Sequence, residues 1–75
     1  MTQPTFGSWL LSQMARHAMA TVDLAARLGV NHATVSRWTS GRRSPSARHC
    51  YRLASVFNAG PDYILALAGH ARASR

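Results

Sequence analysis

Apolar positions recur along this chain at intervals of three and four residues rather than in alternation, the period of helices with one buried face. Phe6, Leu10 and Met14 share one such face, with Trp9 and Gln13 beside it and His17 the candidate to extend it. Thr5 can cap that helix, so it should begin at Phe6 after a loose, polar Met1 to Pro4. Leu24, Ala25 and Leu28 repeat the pattern, Gly29 interrupts it, and Val35 and Trp38 resume it behind Asn31, a good helix cap. This is helix, short turn, helix over about residues 20–40.

The side-chain sizes suit a steep crossing of those two helices. Ala25 is small where the first must approach the second, Gly29 tolerates a positive φ in the turn, and Val30 follows as a buried residue. The third helix should run from His32 to about Thr39 and stop at Gly41. Arg42, Arg43, Ser44 and Pro45 then make a basic loop, and Ser46 caps a fourth helix from Ala47 to Phe57 that buries Cys50, Leu53, Ala54 and Phe57. Arg48 and Arg52 point outward there, with Tyr51 between. Asn58 to Gly60 forms a turn, and Pro61 opens a short last helix with Asp62 behind it.

That last helix has a surplus of apolar residues. Ile64 serves the core, which leaves Tyr63, Leu65 and Leu67 to face a partner subunit. The stretch from Gly69 to Arg75 reads as a frayed, flexible basic tail. The pattern as a whole specifies one all-α domain of five helices over 1–75, without internal repeats.

Length and charge sharpen this picture. A domain of 75 residues buries a modest core, so association of two copies would add stability. Nine arginines, no lysine and only Asp23 and Asp62 give a formal charge of +7 and a pI near 11.7, which favours a polyanionic partner. The arginine bias itself is as well explained by genome base composition. Cys50 has no disulfide mate and no charge arrangement to activate it, so it is read as a small core residue. With no signal peptide or membrane-length apolar run in view, the expected location is cytoplasmic, on the nucleoid of a bacterial host. Four scattered histidines, one cysteine and two aspartates provide no nucleophile–base spacing and no metal set. The chain is therefore not expected to be an enzyme, nor to need a cofactor, a metal or a small-molecule ligand.

Leu24, Ala25, Gly29, Val30 and Val35, continued by Gly41, Pro45, Leu53, Ala54, Phe57, Asp62 and Ile64, resemble the helix-turn-helix of the Cro and phage-repressor (Xre-type) DNA-binding family. The resemblance covers nearly everything from Phe6 to Leu65. It implies a lambda-repressor-like fold and a recognition helix in the DNA major groove. It also bears on the second helix, where Thr21 could itself be the cap. Alignment through Leu24 puts the cap at Ala20 and Thr21 in the first turn, free to meet a phosphate.

On a helical wheel the residues opposite Val35 and Trp38 are His32, Ala33, Ser36 and Arg37. In the family the matching positions touch base edges. Arg37 can donate a bidentate pair to guanine, Ala33 can pack on a thymine methyl, and His32 can meet a base or a phosphate. By family position Thr21, Asn31, Thr34, Ser40, Arg42 and Arg43 are the phosphate contacts. Many relatives pair an Arg in the first helix with a Glu two residues before the turn glycine. Met14 and Thr39 stand there instead, so both charges are absent together.

The function these features imply is that of a homodimeric, Cro-like or repressor-like transcriptional regulator, phage or bacterial, on a pseudo-palindromic operator of double-stranded DNA. The alternatives on the same fold are an antitoxin that binds a toxin and represses its own operon, and a protein-interaction module.

Overall fold

The computed structural model describes residues 4–70; the expected loose ends over 1–3 and 71–75 lie outside the described residues. Five α-helices follow one another: α1 Phe6–Arg16, α2 Thr21–Leu28, α3 His32–Thr39, α4 Ala47–Phe57 and α5 Pro61–Leu67. No strand occurs among the described residues. α2 packs on α3, α1 and α4 close over that pair, and α5 packs on α4.

The helix starts follow from the residues that precede them. Thr5, Asn31 and Ser46 each accept a backbone N–H of the first turn, from Ser8, Ala33 and His49 respectively. Ala20 caps α2 without a side chain of its own, yet that helix is not left bare. The Asp23 carboxylate reaches back to accept the Ala20 N–H at 2.9 Å, half of a reciprocal cap, while its charge meets the positive end of the helix.

Leu10, Leu24, Leu28, Val35, Cys50, Leu53 and Ile64 are fully buried, and Phe6, Trp9, Met14, Trp38 and Phe57 fill the space around them. The aromatic members meet tilted or edge to face: Trp9 on Phe57 with centroids 6.1 Å apart, Phe6 on Trp38 at 6.4 Å. No polar or charged residue is buried among the described residues. Met14 belongs to this apolar core, and Thr39, half-buried, donates its hydroxyl to the Ser36 carbonyl. The two positions that differ from the charged pair of many relatives therefore leave no polar group stranded.

Some side chains lie elsewhere than the pattern suggests. His17 caps α1 at the surface, with its ring against Phe57 at 5.2 Å rather than inside the core. Val30 is half-buried. Leu65 and Leu67 pack against the core of their own chain and are only partly covered, whereas Tyr63 stays 47% exposed beside Trp9. Gly69 and His70, where the expected tail begins, are hydrogen-bonded to the rest of the fold. Gly69, at φ 87°, lets the His70 N–H return to the Leu65 carbonyl, and the His70 ring reaches the Pro45 carbonyl at 2.7 Å.

Candidate nucleic-acid interface

The site is built on the turn between α2 and α3. Gly29 adopts φ 71°, a left-handed conformation that costs an L side chain energy and glycine none. That conformation returns the Gly29 N–H to Ala26 and the Val30 N–H to Ala25, ending α2 within one residue. Two residues later the Asn31 Oδ1 accepts the Ala33 N–H at 2.8 Å and α3 begins. With Oδ1 so engaged, the Asn31 amide nitrogen remains able to donate outward.

α3 is held from behind at three levels. Val35 is fully buried and Trp38 nearly so. Trp38 meets Phe6 of α1 edge-on and the His49 ring of α4 at 5.4 Å. At its C-terminal end the helix rests on Gly7, where a β-carbon would stand 2.6 Å from the Thr39 carbonyl oxygen and 3.0 Å from that of Trp38. Only a residue without a side chain allows α1 and α3 to approach so closely.

The face opposite this backing is open. His32, Ser36 and Arg37 are exposed, and Ala33 and Thr34 are half-buried along its edges. Beyond Thr39 the chain wraps back on the helix: the Arg42 and Arg43 amides donate to the Arg37 carbonyl at 2.9 and 3.2 Å, and Ser40 Oγ adds a third bond at 3.2 Å. Both guanidinium-bearing loop residues thus begin from the same carbonyl as Arg37. A cleft of about 390 Å³ lies between α3, this loop and α4, and Arg37, Arg43, Ser46, His49 and His70 are among its lining residues. No acidic side chain lines it among the described residues. A concave surface bearing two guanidinium groups and no carboxylate attracts anions.

Residues 21–64 match the family model for the helix-turn-helix, which covers this turn, both its helices and the packing against α4 and the start of α5. The chain belongs to the Xre-type helix-turn-helix family. It is also 38% identical over 45 residues to an uncharacterized HTH-type transcriptional regulator of Archaeoglobus fulgidus. That alignment covers 60% of this chain and 64% of the relative, less than two thirds of the relative's length. No solved structure matches the chain.

Within this helix-turn-helix protein the expected base-reading set, His32, Ala33, Ser36 and Arg37, falls together on the open side of α3. Of the expected phosphate set, Asn31, Ser40, Arg42 and Arg43 are exposed around the two ends of that helix, and Thr21 and Thr34 are half-buried. Ser40 spends its hydroxyl proton on Arg37, so as it stands it offers a phosphate no hydrogen. Three residues that shape the site carry no obvious mark in the sequence. A glycine so early in an apolar helix, Gly7, is the one signal that could have been read, since it weakens the helix unless close packing requires it. His49 and His70 act through contacts that only the tertiary structure brings about. Among the described residues no group of three or more His, Cys, Asp or Glu side chains gathers to hold a metal, and no helix is long and apolar enough to cross a membrane.

Proposed function

We propose that this protein is a sequence-specific DNA-binding transcriptional regulator, Cro-like or repressor-like, that acts from the cytoplasm on a pseudo-palindromic operator. The observation that carries the reading is the division of α3 into a buried back, Val35 and Trp38, and an open polar front, His32, Ser36 and Arg37. A rigid helix with one free polar face fits the major groove, where each base pair offers its own pattern of donors, acceptors and methyl groups.

In this mechanism Arg37 donates two parallel hydrogen bonds to a guanine, Ala33 meets a thymine methyl, and His32 and Ser36 read neighbouring edges. Thr21, Asn31, Thr34, Ser40, Arg42 and Arg43 hold phosphates and fix the helix in register. Ser40 turns its hydroxyl from Arg37 to the DNA to do so. Two copies, joined through Tyr63 with Leu65 and Leu67 at its margin, set their recognition helices about 34 Å apart, one turn of the duplex.

A gel-shift at physiological salt with specific and unrelated competitor duplexes tests the proposal. A shifted complex that one competitor sequence removes and another does not is the expected result. Equal competition by every duplex contradicts sequence-specific reading.

A further inference from the structure

His70 lies three residues beyond the end of α5 and 25 residues from the partner of its ring, the carbonyl of Pro45. A carbonyl only accepts, so the hydrogen of this bond is on His70 Nε2. The other side-chain hydrogen bonds described above join residues two or three apart, within single helix ends. This one joins two distant parts of the fold. Both of its ends are well anchored: Pro45 is fully buried, and the His70 backbone is tied to Leu65 through the turn at Gly69.

What lies between Pro45 and α3 is the basic loop. Its near end is fixed by the Arg42 and Arg43 amides on the Arg37 carbonyl, and its far end by Pro45 and the Ser46 cap of α4. His70 secures the far end from outside and also lines the cleft shared by Arg37 and Arg43. We propose that His70 is a positioning residue for DNA binding: its ring holds the Pro45 carbonyl and so keeps the loop of Arg42 and Arg43 set against the recognition helix. This rests on the DNA-binding reading above. It also joins α5, the helix proposed to face a second copy, to the loop that faces DNA.

The test uses the full chain, the variants His70→Ala and His70→Gln, and two readouts. Gln retains an N–H donor near the same reach, whereas Ala has none. The first readout, amide hydrogen exchange, involves no DNA. In His70→Ala the Arg42 and Arg43 amides should exchange faster while those of Leu10 and Leu53 in the core do not, and His70→Gln should restore protection. The second is fluorescence anisotropy with a labelled mixed-sequence duplex over a salt series. Losing one net hydrogen bond corresponds to roughly a two- to tenfold change in an equilibrium. His70→Ala should weaken binding by about that factor and flatten the dependence of log affinity on log salt by about one, the mark of a lost phosphate contact. His70→Gln should recover both.

Unchanged exchange at Arg42 and Arg43, or equal acceleration throughout the core, overturns the latch. Faster loop exchange with an unchanged affinity and salt slope overturns its role in DNA binding. If the unaltered protein binds no duplex, the DNA-binding reading fails, while exchange still decides whether His70 holds the loop.

Discussion

Gly7 and the Thr39 carbonyl meet so closely that a β-carbon on Gly7 would stand 2.6 Å from the oxygen. This contact sets how α1 lies on the C-terminal end of α3, and backbone on the far side leaves nothing flexible to yield. Replacing a helical glycine by alanine ordinarily stabilises by up to about 1 kcal/mol. Here Gly7→Ala is expected to destabilise by roughly 1–3 kcal/mol, the usual range for overpacking. Urea denaturation followed by circular dichroism reads the sign, and a stabilised variant would show that the two helices are not in contact.

Ala18 holds φ 50° in the link between α1 and α2, a conformation that L residues adopt at a cost of about 1–2 kcal/mol. Ala18→Gly removes that cost and loses part of the gain to a more flexible unfolded chain, so it should stabilise by about 0.5–1 kcal/mol. The same change at exposed Ala26 within α2 should destabilise by about 1 kcal/mol. Opposite signs in thermal unfolding are the expected outcome; equal signs contradict the left-handed assignment at Ala18.

Cys50 is fully buried, and burial pushes its thiol above the ordinary range. The unfolded chain can then ionise this thiol at a pH where the folded protein holds the proton, so the folded state binds more protons. Its contribution is fully present below the unfolded thiol pKa and is lost as pH rises toward the folded one. The unaltered protein should lose stability faster than Cys50→Ala as pH rises through the alkaline thiol range. Parallel stability curves for the two proteins across that range would contradict the assignment.

Tyr63, 47% exposed, is the large apolar side chain of α5 most open to solvent. If it joins two copies, Tyr63→Arg should shift the sedimentation coefficient toward the monomer and leave the helical circular dichroism intact. Dimers of unchanged strength would move the interface elsewhere.

The limits of what the sequence reveals follow from the range of the interactions. Thr5, Asn31, Ser46, Gly29 and Pro61 act on backbone within a few positions, and they mark the helix ends that the structure has. The period of Leu24, Leu28, Val35, Leu53 and Ile64 identifies the core for the same reason, because helical repeat and burial are linked locally. Gly7, Leu65, Leu67 and His70 were less legible. What each does depends on a partner far away in the chain: Thr39 for Gly7, the core for the two leucines, Pro45 for His70. Ala18 carried no signal, since alanine seldom adopts the conformation it has here.

The reading of α3 is tested most directly by selecting bound duplexes from a random pool with the unaltered protein, Arg37→Ala and Arg42→Ala. A two-fold-related consensus is expected for the unaltered protein. Arg37→Ala should lose preference at one position in each half-site and about 1–3 kcal/mol of affinity, while Arg42→Ala should keep the consensus and bind every sequence more weakly. An identical consensus and affinity for the unaltered protein and Arg37→Ala would contradict that reading.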